Sequence, residues 1–379
     1  MTHPGRGGRA WVAALTLLIL LDSGDSMGGE SGAAGTPSFR VTCQSGESRR
    51  GCLKGKLETP AALLYTRRGF PPALTLRELD ALAKATSAPG EDNGELLALQ
   101  IDAADFFEQN NNDTALAKCE GGIRSFCGLQ GRDHFTLVTH RDALNLQSGM
   151  PASDGWVTMQ SPGGQLKVTV DDYVRFLGAA APDAAVCLAD EVAGDANPNR
   201  VRKSAERAAE WTSKCLAARA AGAIPADTLL FAPAMGGVID RERARAAKEV
   251  AVRGADGYAL CGLGHWEAPA ERAALVAASI AALADPARPR VLLGVGGPAE
   301  MLQATQPPAR PLLRRLRPFP QRCAARGGPA DGPASVGDRA WRRPRRDRLP
   351  LLGACPPRPP CPSRPRAPRA REMLLVPPP

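Results

Sequence analysis

The chain has 379 residues, 44% of them apolar, which allows one large domain or two to three ordinary ones with a sizeable core. Collagen, a coiled coil and a disulfide-dense mini-protein are excluded by composition. The net charge of +9 is a local excess: Thr305 to Pro379 holds 17 Arg, no Lys, four acids and 19 of the 35 prolines, a net of +13, and residues 1–304 carry −4.

Arg6 and Arg9 precede an apolar run of 11 residues from Trp11 to Leu21, followed by Asp22-Ser23-Gly24-Asp25-Ser26. That is the shape of a secretory signal; it is too short to span a bilayer, which takes roughly 20 apolar residues. The other reading is a non-structural extension ahead of a second start at Met27. Residues 22–40 are rich in Gly and Ser and read as linker, so residues 1–40 form a first region outside the fold. Asn112-Asp113-Thr114 is a glycosylation sequon only in a secreted chain.

Short strands are predicted between Gly51 and Thr66, where Ala61-Ala62-Leu63-Leu64-Tyr65 follows Thr59-Pro60. Leu74, Leu76, Leu79 and Leu82 have helical spacing over 74–85, and Gln109–Asp113 is a polar loop. From Ala184 the pattern becomes regular. An apolar run at 184–189 ends in Asp190-Glu191, with a helix from about Val201 to Ala220. A second run, 228–234, ends in Met235-Gly236-Gly237 before a helix over 240–252. The third, 257–260, ends in Cys261-Gly262-Leu263-Gly264 before a helix over 269–284. The fourth, 291–294, ends in Val295-Gly296-Gly297, and Pro298 opens the last helix at a favoured first position.

Apolar runs without alternation indicate parallel strands buried on both faces. Right-handed crossovers then build either a doubly wound sheet or a (β/α)8 barrel, and both place their sites at the C-terminal strand ends. Gly294-Val295-Gly296-Gly297 either cradles a phosphate on backbone N–H groups or is a tight strand-to-helix turn. Neither a dinucleotide fingerprint nor a G-x-x-x-x-G-K-[ST] loop occurs, which disfavours a nucleotide enzyme. None of the ten cysteines forms a C-x-x-C pair; Cys187 and Cys261 sit in apolar runs as small buried hydrophobes, as in a reduced intracellular protein.

Taken in order, these strand ends resemble the tRNA-guanine transglycosylase family, over about Cys43 to Ala304. Met235-Gly236-Gly237, Arg241 and the 245–250 helix precede Gly257-Tyr258-Ala259-Leu260-Cys261-Gly262-Leu263-Gly264-His265-Trp266-Glu267, similar to the family's Q-G-G and Gly-Tyr-Ala-x-Gly-Gly-Leu segments. Residues 289–298 look like its next strand, and Cys187-Leu188-Ala189-Asp190-Glu191 like the strand ending in a substrate-facing Asp. The segment Gly55–Thr66 is closer to the non-catalytic partner subunits found in eukaryotes. The resemblance implies an α/β fold, a (β/α)8 TIM-type barrel, incomplete here, over residues 41–304. Composition, not the resemblance, makes residues 305–379 a disordered Pro/Arg-rich tail, since such a segment cannot bury enough surface to offset chain entropy.

The family exchanges a base in tRNA by covalent catalysis, with one Asp as nucleophile and another as acid/base. The acid/base Asp belongs to a S-G-G-F-Q motif that is missing here; Asp102 and Asp105, in the corresponding region, read as solvated surface or loop charges. After Ala304 no apolar strand carries a nucleophile. The purine-binding Gln is Met235, and the first glycine of the Gly-Gly-Leu pair is Cys261. Asp190, Gly236, Gly237, Gly262, Leu263, Gly264 and Glu267 remain as remnants of a substrate pocket, with fold-keeping turns as their other reading. The resemblance implies zinc, yet the C-x-C-x-x-C ligands and later His are missing, so no metal or other cofactor is expected on this chain.

The implied role is a non-catalytic subunit forming a heterodimer with a catalytic queuine tRNA-ribosyltransferase subunit. It would meet tRNA through that complex, in the cytoplasm and at the outer face of mitochondria, with peripheral membrane association. An alternative is an RNA-binding or scaffold protein acting through the tail, where Arg-Arg-Pro-Arg-Arg at 342–346 would neutralise phosphates. The tail has a second reading, as sequence standing in place of the end of the barrel, which would leave an open sheet edge. An independent phosphate-binding barrel enzyme using Gly294–Gly297 lacks a nearby acid or base.

Overall fold

A computed structural model describes residues 15–18, 38–45, 48–86, 96–107, 112–142, 151–194, 196–264, 267–283, 285 and 287–305. All of them fall in one unit, Met1–Arg315. The linker reading of residues 22–37, His265 and Trp266, and the tail beyond Thr305 with Cys323, Cys355 and Cys361 lie outside the described residues.

In chain order the strands begin with β1 (Leu15–Leu18), β2 (Phe39–Ser45), β3 (Ser48–Leu53), β4 (Leu57–Thr59) and β5 (Ala61–Tyr65). Then come α1 (Leu76–Thr86), β6 (Ala98–Asp102), a 3-10 turn at Ala103–Asp105, α2 (Asn112–Ala117), α3 (Gly122–Phe126) and β7 (Phe135–Thr139). A hairpin of β8 (Trp156–Ser161) and β9 (Gly164–Thr169) leads into α4 (Val170–Ala180) and β10 (Ala184–Val186). The regular half is α5 (Pro198–Ala220), β11 (Leu229–Ala234), α6 (Asp240–Ala251), β12 (Gly257–Leu260), α7 (Pro269–Ala282), β13 (Arg290–Leu292) and α8 (Pro298–Thr305).

Seven strands pair in parallel in the order β5, β6, β7, β10, β11, β12, β13 and curl into a barrel-type sheet. The expected open edge is covered: β1 lies between β13 and β5, antiparallel to both. Four residues of the signal-like run are therefore part of the fold, whereas the sequence placed all of 1–40 outside it. The other expected elements stand within a few residues of their predicted bounds, except that α2 begins at Asn112, inside the polar loop expected over Gln109–Asp113.

Period-2 alternation explains why these runs make a barrel. Leu63, Phe135, Leu137, Val186, Phe231, Ala259 and Val291 pack together in one core. Their chain neighbours point the other way, against the helices: Val138 and Leu230 with Phe176, Leu177 and Trp211, and Leu260 and Leu292 with Val250, Leu275 and Ile280. Both faces of each strand are thus dry, which is why no polar alternation shows in the sequence. Local signals start the helices. Thr169 and Asp172 form a reciprocal capping box on α4. Asn197 caps α5 ahead of Pro198, and Pro269 opens α7.

Candidate functional site

At the C-terminal ends of β6, β7 and β10 a cleft of about 260 Å³ is lined by Asp102, His140, Asp190 and Glu191 and by Val157–Pro162 of the β8–β9 hairpin. Asp102 and Asp105 are buried, which corrects the expectation of solvated loop charges. Asp102 ends a fully buried strand, and its Oδ1 accepts from Ala104 N–H (2.9 Å) to start the 3-10 turn. Burial pushes its carboxyl up to about 8, against that hydrogen bond and with Asp105 and Asp142 adding to the rise. At neutral pH Asp102 is mostly protonated and offers an O–H donor. Asp105 is held instead by the adjoining turn, accepting from Arg68 N–H at 2.7 Å.

His140 and Arg141 follow β7 and both meet Glu191: His140 Nε2 lies 3.2 Å from Oε1, and Arg141 Nη2 bonds Oε2. Burial alone would raise the Glu191 carboxyl, but the Arg141 guanidinium and the His140 imidazole hold it well below the usual carboxylate range. Asp142 accepts from Tyr65 Oη (2.8 Å) and Arg67 Nη1 (3.1 Å). The cleft therefore sets a protonated Asp102 beside an ionised Glu191, and Asp142 takes a bond from the Arg67 guanidinium.

Asp190, the residue the sequence places toward substrate, lines this cleft but is held by three guanidinium bonds. Arg200 grips it with two bonds, Nη1 to Oδ2 (2.5 Å) and Nη2 to Oδ1 (2.6 Å), and Arg207 Nη1 adds a third to Oδ2 (2.9 Å). Both arginines come from α5, the helix directly after the Asp190 loop. A bidentate Arg on a buried carboxylate is a strong, geometrically specific contact.

The remaining candidates lie across the mouth, after β11 and β12. Met235, Cys261 and Leu263 are buried apolar side chains. Between the two strand ends runs Arg243 of α6, itself fully buried. It donates to the carbonyls of Gly237 (2.7 Å), Cys261 (2.8 Å), Gly262 (3.0 Å) and Ala234 (3.4 Å). Burial lowers its basicity to about 10, which leaves it charged. Gly236, at φ +135°, lies against the start of α6: a Cβ there would stand 2.6 Å from the Arg243 nitrogen. Gly264, at φ +94°, meets the next loop so closely that a Cβ would fall 1.8 Å from the Gly294 oxygen. Glu267 accepts from Gly264 N–H (2.5 Å) and Arg272 Nε (2.6 Å).

The turn after β13 is filled from within. Glu300 Oε2 accepts from Gly297 N–H (3.2 Å) and, at 3.5 Å, from Gly296 N–H, while Arg272 Nη1 bonds its other oxygen (2.5 Å). A carboxylate of α8 thus stands where a phosphate would sit, which favours the tight-turn reading of Gly294–Gly297. No group of three or more His, Cys, Asp or Glu among the described residues is placed to hold a metal ion. The described cysteines form no disulfides. A cavity of about 720 Å³ at the opposite, N-terminal end of the strands is lined by Lys54, Arg219, Arg253, Asp227 and Asp256, remote from all of these groups.

The sequence brought together Asp190, Met235, Gly236, Gly237, Cys261, Gly262, Leu263, Gly264 and Glu267 as one pocket; only Asp190 lines the described cleft. It missed His140, Arg141 and Asp142, although they end the apolar run Phe135–Thr139 just as Asp190-Glu191 ends its own. Arg200, Arg207 and Arg243 were hidden among other helix arginines, and only the fold shows which of them turn inward.

Comparison with known proteins matches residues 43–306 to the family model described as queuine tRNA-ribosyltransferase. Three similar proteins are each named queuine tRNA-ribosyltransferase accessory subunit 2. That of Xenopus tropicalis is 28% identical over 252 residues, covering 66% of this chain and 57% of its own. That of Trichoplax adhaerens is 30% identical over 214 residues, covering 55% and 53%. That of Homo sapiens is 25% identical over 275 residues, covering 68% and 61%. The chain therefore spans somewhat more than half the length of these relatives. With a family match that runs from β2 to the end of α8, and with the strand-end turns in the expected order, the chain belongs to the queuine tRNA-ribosyltransferase family.

Proposed function

We propose that this chain is a non-catalytic subunit that pairs with a catalytic queuine tRNA-ribosyltransferase chain and supports its exchange of guanine for queuine in tRNA. The observation that carries this reading is the state of Asp190. A carboxylate that is to accept hydrogen bonds from a purine must have acceptor positions to spare, and here three guanidinium bonds from Arg200 and Arg207 occupy most of those on a buried carboxylate. The cost of stripping a buried carboxylate from two guanidinium groups works against a neutral base as a replacement partner. Met235 and Cys261 have no strong donor or acceptor to offer in its place. The names of the relatives, accessory subunits all, support the same conclusion. tRNA is reached through the complex, in the cytoplasm and at the mitochondrial outer membrane.

Two measurements test this. The purified chain should exchange no guanine in tRNA, and co-expression with the catalytic chain should give a heteromer on size exclusion. Exchange by the isolated chain, or two separately eluting proteins, would overturn the proposal. The +13 charge beyond Thr305 supports a second reading, RNA binding through the tail. It requires that truncation after Ala304 abolish RNA binding, and equal binding by both forms defeats it.

A further inference from the structure

The two arginines hold Asp190 unequally. A carboxylate has roughly four acceptor positions. Arg200 fills two of them, through Nη1 to Oδ2 (2.5 Å) and Nη2 to Oδ1 (2.6 Å), and Arg207 fills one, through Nη1 to Oδ2 (2.9 Å). Arg207 is anchored elsewhere as well: its Nε donates to Asp154 Oδ1 at 2.8 Å, just ahead of the β8–β9 hairpin, and its side chain is 12% exposed. The Arg200 side chain is 31% exposed, and both its terminal nitrogens are engaged with Asp190. Arg207 is thus fixed from two sides, whereas the Arg200 fork closes over the carboxylate from the solvent side.

The place of Arg200 in the chain points the same way. It follows Pro198 and Asn199 in the first turn of α5, where the helix field favours anions and disfavours a cation. The helix gives no reason for an arginine at this position; the buried Asp190 carboxylate does. The planar guanidinium presents two parallel N–H donors, which match a carboxylate bidentately. A planar ligand with the same pair of donors, such as an amidine or the edge of an aminopyrimidinone ring, needs the same two positions. Arg200 and that ligand exclude each other, whereas Arg207, on a single Oδ2 position, leaves both of them open.

We propose that Arg200 is a built-in occupant of the Asp190 site: it sets specificity by rejection, and its removal alone admits a small planar ligand with two parallel N–H donors. This rests on the reading of the chain as a non-catalytic subunit and names the side chain that closes its Asp190 to a base. A tethered fork competes with a free ligand at an advantage, because it gives up no translational freedom on binding. When Arg200 is lost, Asp190 keeps Arg207, so the buried carboxylate stays paired and the vacated positions adjoin the space of the lost guanidinium.

Thermal unfolding of the full chain with soluble probes tests this. Arg200→Ala should unfold several degrees below wild type. Methylguanidinium at about 50 mM should raise the midpoint of that variant by about 2 °C, as a site of roughly 10 mM affinity requires, and leave wild type where sodium chloride of equal ionic strength leaves it. Isocytosine, a neutral ring with the same donor pair, should also protect the variant, and cytosine, which lacks the pair, should not. The double variant Arg200→Ala/Asp190→Asn should respond to neither methylguanidinium nor isocytosine. An unresponsive Arg200→Ala, an equal response in wild type, or protection that survives the loss of Asp190 would each overturn the proposal. Should Arg200→Ala not fold, Arg200→Met, which keeps the apolar stem without the donors, takes the same readings. If neither variant folds even with methylguanidinium present, Arg200 is a structural support and the proposal falls. Guanine exchange by the isolated wild-type chain would defeat the non-catalytic reading without touching these binding results. Unresponsive variants would defeat the occupant and leave the heteromer intact.

Discussion

The two halves of the barrel mouth are built from different materials. After β6, β7 and β10, side chains converge: Asp102, His140, Arg141, Asp190 and Glu191 face one cleft, where Arg141 pairs with Glu191 and Arg200 reaches in to Asp190. After β11, β12 and β13, backbone converges: glycine turns press together, and Arg243, Glu267 and Glu300 each reach main-chain carbonyls or N–H groups. The first half has the hydrogen-bonding capacity of a binding site with its key carboxylate already occupied. The second has the outline of a ligand-binding set of turns with the chain's own side chains in the ligand's place. A polar mouth must have its buried groups satisfied, and in both halves the chain's own side chains do so.

If the second half is held by its internal substitutes, removing one should cost far more than an ordinary arginine truncation. Arg243→Ala strands three carbonyls at 2.7–3.0 Å from a vanished guanidinium. A loss of about 4 kcal/mol is expected, read as a lower urea midpoint with little change in slope. Arg243→Lys should recover only part of it, since one ammonium cannot span turns from two strands. A loss below about 1 kcal/mol for the Ala variant would show that the turns hold themselves.

Gly264→Ala sharpens the same point with no charge involved. The added methyl would stand 1.8 Å from the Gly294 oxygen at φ +94°, so about 3 kcal/mol is expected from clash and backbone strain together. Gly254→Ala is the control: φ there is +79°, but nothing stands within 4 Å, and about 1 kcal/mol is expected. Equal losses at the two sites in thermal unfolding would remove the close approach of the loops as a cause.

This division also explains what the sequence made legible. Strands buried on both faces and helices opened by Pro198 or Pro269 carry local signals, so the regular half was readable nearly to the residue. Turn glycines were legible as turns, whereas their partners were not: Arg243 looks like Arg241 and Arg245 until the fold turns one of the three inward. The Asp102 reading failed for a related reason. Ala-Ala-Asp-Phe-Phe gives no sign that the carboxyls beside it are covered, because the cover comes from β7 and the β8–β9 hairpin, distant in sequence. β1 was misplaced because an apolar run reads alike whether it goes to a membrane or to a sheet.

The first half differs from the second in responding to pH, and Asp102 gives the smallest but most diagnostic effect. Unfolded, its carboxyl ionises near pH 4; folded, it keeps its proton up to about pH 8. Between those values the folded chain holds the extra proton, so this group lowers stability as pH rises. Glu191 runs the other way: its folded pKa lies below the unfolded one, so its contribution is complete above about pH 5 and is lost as pH falls through the folded value. Asp102→Asn keeps the Oδ1 bond to Ala104 N–H, removes the first slope and leaves the second. The variant should match wild type near pH 4 and exceed it by about 2 kcal/mol at pH 8, the shift being discounted for relaxation of the site. A difference that stays flat across that window would mean that Asp102 is ionised in the fold, and the cleft would then carry one more anion than its arginines balance.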